Sequence, residues 1–444
     1  MEKQIEDRIF KIAFKKLKSS VYYDKTQLIL RNDIVRYEQN SKDKIDSKLE
    51  SLCTQFNDDS KFEKLKELIK RSISISAFPK KLIKSQTPGV IINKQTSQTT
   101  VNQNQYFIDM CVEGHILGVV WLMNIGSKLD KLVYEKSYGN RIRKKLINEL
   151  SDEPTFSPYL FEPYFMQYES WRDTALDEAK KYLHQKNDVM ILTMDLKRYF
   201  YSVDVTQNAF DKMLEDAGID KSDKAKCGLV KLNELMYEIV NTYAKQFGEE
   251  FERRNILPIG FLPSNVISNW CLRNLDKAII DGWNPVFYGR YVDDILIVDK
   301  IEPGSKIFNL IRSEPKKVNV DFIMDYYTEK CCKWYDRNKD ATSCKGLFFK
   351  CDQSGYPLSN PDANDVYYRV NFNFNPTIPD TKSKLIVQNE KMKLFYFLEG
   401  ETDALIDCFK NQISKNKSEF RHMPEDDAFY QKDQYNEIYS LVID

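Results

Sequence analysis

The chain has 444 residues with 66 basic and 66 acidic side chains, so its formal net charge is zero. That excludes a generally basic coat for nucleic acid, and any polyanion contact must come from a local cluster. Hydrophobic residues at 42%, with 26 Tyr and 26 Phe, supply a core and exclude wholesale disorder, and the length suggests two or three domains. The longest strongly apolar run, Ile116–Met123, falls far short of the roughly 20 residues that span a bilayer, so no membrane association is expected. The opening MEKQIEDRIFKIAFKKLK mixes charges through its apolar positions and does not read as a secretory signal. The nine cysteines show no regular framework and read as reduced thiols of a cytoplasmic protein.

Residues 1–85 look helical and basic. Phe10, Ala13, Phe14 and Leu17 share one face at helical spacing. Between Lys61 and Lys84 lie eight basic residues, including Lys80, Lys81 and Lys84, against Glu63 and Glu67. This run reads either as the solvated face of an amphipathic helix or as a polyanion contact. Residues 86–104 are polar and read as a loop or linker. A helix is expected through Ile108–Leu132 and another around Trp171–Leu183. Val189–Thr193 is a short apolar strand that leads into Asp195. Residues 208–247 read as helices, and Val286–Val298 as a β-hairpin. Residues 311–384 are polar with β-rich pieces, 401–422 return to helical spacing, and the last 22 residues hold six acids against one Lys.

Asp293 and Asp294 interrupt the apolar hairpin VFYGRYVDDILIV. Acids there are costly unless something pairs with them, and a tight turn at Val292–Asp294 would aim them into a cleft. Asp195 ends an apolar strand in the same way. Two divalent cations about 3.5–4 Å apart need carboxylates from more than one strand, and Asp195 with Asp293 meets that demand if the strands are neighbours. The alternative is that these acids are solvated turn residues.

In order, the chain carries DLKRYFYSV (Asp195–Val203), IGFLPSNVISN (Ile259–Asn269), YVDD (Tyr291–Asp294) after Arg290, and NEKMKLFYF (Asn389–Phe397). These segments resemble the first, second, third and fourth palm motifs of reverse transcriptases. The resemblance covers roughly 105–310 and returns near 385–400. It implies an α+β right-hand polymerase, with an antiparallel palm sheet flanked by helices. The domains then read as a helical basic extension (1–85), fingers and palm (86–310), an insertion (311–384), the end of the palm (385–400) and a small helical thumb-like region (401–444). Departures are Ile259 where many relatives have Gln, Asn265 where they often have Pro, and a 97-residue gap from Asp294 to Lys391. LPIG, FEPYFMQYESWRD and KNQISKNKSEFRHMPED resemble defence-associated and abortive-infection reverse transcriptases of bacteria.

By that resemblance Asp195, Asp293 and Asp294, with Leu196 beside them, hold two Mg²⁺ ions, Mn²⁺ being an alternative. Lys391 serves the leaving pyrophosphate, as proton donor or counter-charge. Phe200, next to Tyr199, packs under the sugar and leaves no room for a 2′-hydroxyl. Gly260 and Ser264 admit the template–nucleotide pair, and Asn269 follows on the same helical face. Arg141 and Arg172 are candidates for the triphosphate, and Asn269, Arg290, Lys80, Lys81 and Lys84 for nucleic acid. Cys331, Cys332, Cys344 and Cys351 cluster in the insertion, but their spacing is no standard zinc pattern. The partners implied are dNTPs, a DNA product, an RNA template or dedicated non-coding RNA, and a protein partner or a second copy. Three functions fit: RNA-directed DNA synthesis in antiphage defence, template-free or protein-primed DNA synthesis, and a non-catalytic RNA-binding scaffold.

Overall fold

The computed structural model describes residues 5–24, 27–39, 45–82, 101–143, 159–223, 227–314, 318–319, 321–327, 347–358, 366–371, 382–387 and 391–399. The chain divides into two compact units. The first comprises 1–129, 203–268 and 378–383, and the second 130–202, 269–377 and 384–444. The class is α+β, with every named strand pair antiparallel.

In the first unit, helices run over Asp7–Tyr23, Leu28–Gln39, Ile45–Asn57 and Asp59–Ser72. The stripe Phe10, Ala13, Phe14 and Leu17 is buried as its spacing requires. Phe10 and Phe62 both pack against Phe56, at 6.0 and 5.4 Å. Asp58 caps the fourth helix, accepting from Ser60 N and Lys61 N. That helix stops at Ser72, and Ser74–Leu82 is strand β1, paired with β2 (Val101–Asp109). Two expectations are corrected here: 74–82 is not helical, and 101–104 is not linker. The alternation Ile73-Ser74-Ile75-Ser76 has period two, which is a strand signal. Lys80 and Lys81 therefore fall on β1, while Lys84 and 86–100 lie outside the described residues. On the helix, Lys61, Lys66 and Lys70 pair with Asp58, Glu63 and Glu67, and Lys70 also with Glu238.

The helix Val112–Trp121, continued by a π-turn at Leu122–Gly126, is the centre of this unit. Trp121 Nε1 donates to Asn233 Oδ1 at 2.9 Å, and Asn233 Nδ2 donates to the Phe210 carbonyl. These bonds tie it to the helices Gln207–Asp216 and Cys227–Lys245.

The second unit is built on a four-stranded sheet in the order β4-β5-β3-β9. The strands are β3 (Asp188–Asp195), β4 (Phe287–Tyr291), β5 (Asp294–Ile301) and β9 (Lys393–Phe397). The helix Tyr164–His184 covers one face, packing Trp171, Ala175, Leu176, Ala179 and Leu183 against Val189, Ile191, Leu296 and Val298. Met190, Leu192 and Met194 on the other face of β3 are buried as well. A strand covered on both faces reads as a continuous apolar run, which is why VMILT was legible as one. A three-stranded sheet, β6 (Phe348–Cys351), β7 (Tyr367–Val370) and β8 (Ile386–Val387), completes the unit.

Cys351 is buried there, and burial pushes its thiol up to about 11. Cys331, Cys332 and Cys344 lie outside the described residues, as does 401–444 with its expected helix. No helix among the described residues is long and apolar enough to cross a membrane.

Candidate active site

β4 and β5 are joined by the two-residue loop Val292-Asp293, with Tyr291 opposite Asp294. Val292 has φ 57, a left-handed conformation that β-branched residues rarely adopt. Its surroundings hold it there. Arg290 Nη1 donates to the Val292 carbonyl at 2.9 Å. Tyr138 N donates to the Arg290 carbonyl at 2.8 Å, and Arg290 N to the Lys136 carbonyl at 3.1 Å, so segment 136–139 runs beside the hairpin. A Cβ on Gly139 would stand 2.6 Å from Val292 Cγ2 and 2.9 Å from its nitrogen, so this close approach needs glycine.

Arg290 has no solvent exposure. Its Nε and Nη2 fork the Asp276 carboxylate at 2.7 and 3.0 Å, and Nη1 reaches Asn269 Oδ1 at 2.7 Å. Asn269, also fully buried, donates from Nδ2 to the Gly139 carbonyl at 2.8 Å. Tyr288 adds a hydroxyl to Asp276. Burial alone would push the guanidinium down, but the facing Asp276 holds it firmly protonated. The expectation that Arg290 and Asn269 contact nucleic acid is corrected, because side chains with no exposure cannot touch a duplex. They brace the loop that carries Asp293.

β3 pairs with β5 in the register that sets Asp195 opposite Asp294, and Leu196 N donates to the Asp293 carbonyl at 3.3 Å. On its other side β3 pairs with β9, with Thr193 opposite Lys393. Continuing that register two residues brings Lys391 opposite Asp195. Lys391 Nζ donates to Asp195 Oδ2 at 2.8 Å. One row across the sheet therefore reads Asp294, Asp195, Lys391. Directly opposed carboxylates repel, and the ammonium on the far side offsets that repulsion. The separation of 97 positions from Asp294 to Lys391 does not keep them apart in space, because β9 returns to the edge of the same sheet.

Tyr199 is 1% exposed, so its expected contact with nucleotide is corrected: burial turns the phenol inward and pushes its pKa well up. Phe200 is half-buried and packs edge-on against Tyr199 at 5.9 Å. Arg141 Nε and Nη2 bond Asp130, and Nη1 bonds the Tyr134 and Ser137 carbonyls. The Arg172 fork is taken by Asp173 at 2.8 and 3.2 Å. Both guanidiniums thus make ion pairs within the protein.

Gly260 and Ser264 belong to the first unit. Gly260 has φ +88, and a Cβ there would meet Gln27 Nε2 at 3.1 Å and Phe107 at 3.2 Å, so its close neighbours are the chain's own. Ser264 is buried, and its hydroxyl meets no partner among the described residues.

Sequence reasoning missed Gly139 and Asp276. The only signal for Asp276 was indirect: a buried arginine requires a counter-charge somewhere. Among the described residues no three His, Cys, Asp or Glu side chains are gathered closely enough to hold an ion as they stand. The donor chemistry of Asp195, Asp293 and Asp294 nonetheless suits Mg²⁺, being hard carboxylate oxygen from adjacent strands.

No curated protein matches the chain. Residues 137–324 match the family model described as reverse transcriptase (RNA-dependent DNA polymerase), which spans Asp195, the loop Val292-Asp293 and Asp294. Such a domain implies a nucleic-acid template and dNTP substrates, and over residues 137–324 it indicates a reverse transcriptase domain with RNA-directed DNA polymerase activity.

Proposed function

We propose that the protein makes DNA on a dedicated non-coding RNA by two-metal nucleotidyl transfer, as part of antiphage defence. The observation that carries the chemistry is the pairing of Asp195 with Asp294 in register, with Asp293 on the adjoining loop. Asp195, Asp293 and Asp294, with the Leu196 carbonyl, are the groups to hold Mg²⁺ or Mn²⁺, which when bound activates a primer 3′-hydroxyl and neutralises the triphosphate. Phe200 lies five residues after Asp195 and is partly exposed, so its ring is the one to exclude a 2′-hydroxyl. Lys391 carries the proton or charge that a leaving pyrophosphate needs. The defence setting is supported by the resemblance of LPIG and FEPYFMQYESWRD to defence-associated enzymes.

Purification with bound nucleic acid, addition of dNTPs, and sequencing of both product and bound RNA tests this reading. The expected product is complementary to the bound RNA. A product with no counterpart in that RNA, or one whose synthesis survives ribonuclease treatment, would point to template-free synthesis instead.

A further inference from the structure

The Lys391–Asp195 contact has a consequence for how the site is loaded. The Asp195 side chain is 7% exposed and that of Lys391 is 25% exposed, so solvent screens this pair poorly. The Lys391 ammonium lies 2.8 Å from Asp195 Oδ2. A divalent ion binds carboxylate oxygen at about 2.0–2.1 Å. An ion on the same oxygen would therefore face the ammonium at roughly 3–5 Å, where two unscreened positive charges repel strongly. The two cations therefore oppose each other at Oδ2. The two neighbours of Asp195 differ in kind: Asp294 is fixed to it by strand register, whereas Lys391 precedes β9 and reaches it through a flexible four-carbon stem.

We propose that Lys391 is the resident counter-cation of Asp195, and that a divalent ion loads only by displacing it. Loading of the site and release of the Lys391 ammonium are then one event. Before loading, the ammonium offsets part of the negative charge of the carboxylate row. After loading, the same ammonium no longer bonds Asp195 Oδ2 and can turn to an anionic group arriving at the site, so it reaches a leaving phosphate only when the ion is in place. No bond is made or broken in the exchange, and the proton stays on Nζ. Because the two cations compete, anything that removes the ammonium must tighten ion binding by the same coupling that lets the ion release it. This inference rests on the assignment of Asp195 as an ion ligand.

The test is Mn²⁺ binding to the full-length, nucleotide-free protein, followed by electron paramagnetic resonance of free Mn²⁺. Lys391→Met is expected to bind on the order of tenfold tighter than wild type, Lys391→Arg to stay near wild type, and Asp195→Asn to lose the site. Equal affinity in wild type and Lys391→Met, with Asp195→Asn still defective, would overturn the displacement and leave the ligand assignment standing. Binding indifferent to Asp195 would overturn both. A second measurement uses wild type alone: the rate at which an amine-acylating reagent modifies Lys391, read by mass spectrometry with the exposed Lys393 as reference. It should rise several-fold with Mn²⁺, and an unchanged rate contradicts the proposal.

Discussion

Sugar selection rests on a single ring in this account. Phe200 is partly exposed and follows the buried Tyr199, so truncation opens space without unpacking the core. Phe200→Ala is expected to raise ribonucleotide use relative to deoxynucleotide by on the order of tenfold or more, read as a ratio of kcat/KM values. An unchanged ratio would make Phe200 a packing residue only. His115 makes a different prediction. It is buried near Phe261 with its Nδ1 unpartnered among the described residues, and burial lowers its pKa to about 4. The unfolded chain takes up this proton below about pH 6.5. The contribution is therefore complete above 6.5 and is lost as pH falls toward 4, by about 1.4 kcal/mol per unit. Denaturant unfolding at pH 6.5 and pH 5 should differ by roughly 2 kcal/mol from this group, and His115→Phe should flatten that difference. At this scale the sequence was informative where charge interrupts an apolar strand, as at Asp195, Asp293 and Asp294. It misled at Arg290 and Asn269, because nearness to a motif does not say which way a side chain points.

The hairpin is the element on which the site depends, and Arg290 and Asp276 are its brace. Both are essentially unexposed. Asp276→Asn would leave Arg290 buried without its counter-charge, and is expected to cost roughly 3–5 kcal/mol of stability. Asp276→Leu combined with Arg290→Met should cost far less than either change alone, because no uncompensated charge remains. Thermal or denaturant unfolding of Asp276→Asn, of the two single changes and of their combination checks this, and simple additivity would contradict the brace. The hairpin itself was legible from its paired apolar runs, and β3 from its unbroken one. β1 was not, because the basic run before and after it suggested one helix while Ile73-Ser74-Ile75-Ser76 carried a period of two. The place of β9 on the sheet could not be read from its distance along the chain, since register rather than separation sets neighbours in a sheet.

A molecule with no net charge must hold a nucleic acid through local clusters. Lys61, Lys66 and Lys70 are partly answered by neighbouring acids, and Lys80, Lys81 and Lys84 close the same basic run. Replacing these three with Gln is expected to weaken RNA binding and to flatten its dependence on salt, by roughly one unit of slope for each phosphate that is no longer neutralised. Filter binding over a salt series reads both quantities, and an unchanged slope would return the cluster to a solvated surface. The division of the chain into two units, each assembled from separated segments, was not legible, because long-range contacts leave no local pattern in composition. The row of carboxylates at the end of β3 and β5 is proposed to carry out RNA-directed DNA synthesis. Its most direct test is dNTP incorporation on an RNA template with Mg²⁺, comparing wild type with Asp195→Asn and Asp293→Asn. Wild type is expected to make template-dependent DNA and each variant to lose about three or more orders of magnitude, on the scale of several kcal/mol for a missing ligand; wild-type synthesis by folded Asp293→Asn protein would rule this chemistry out.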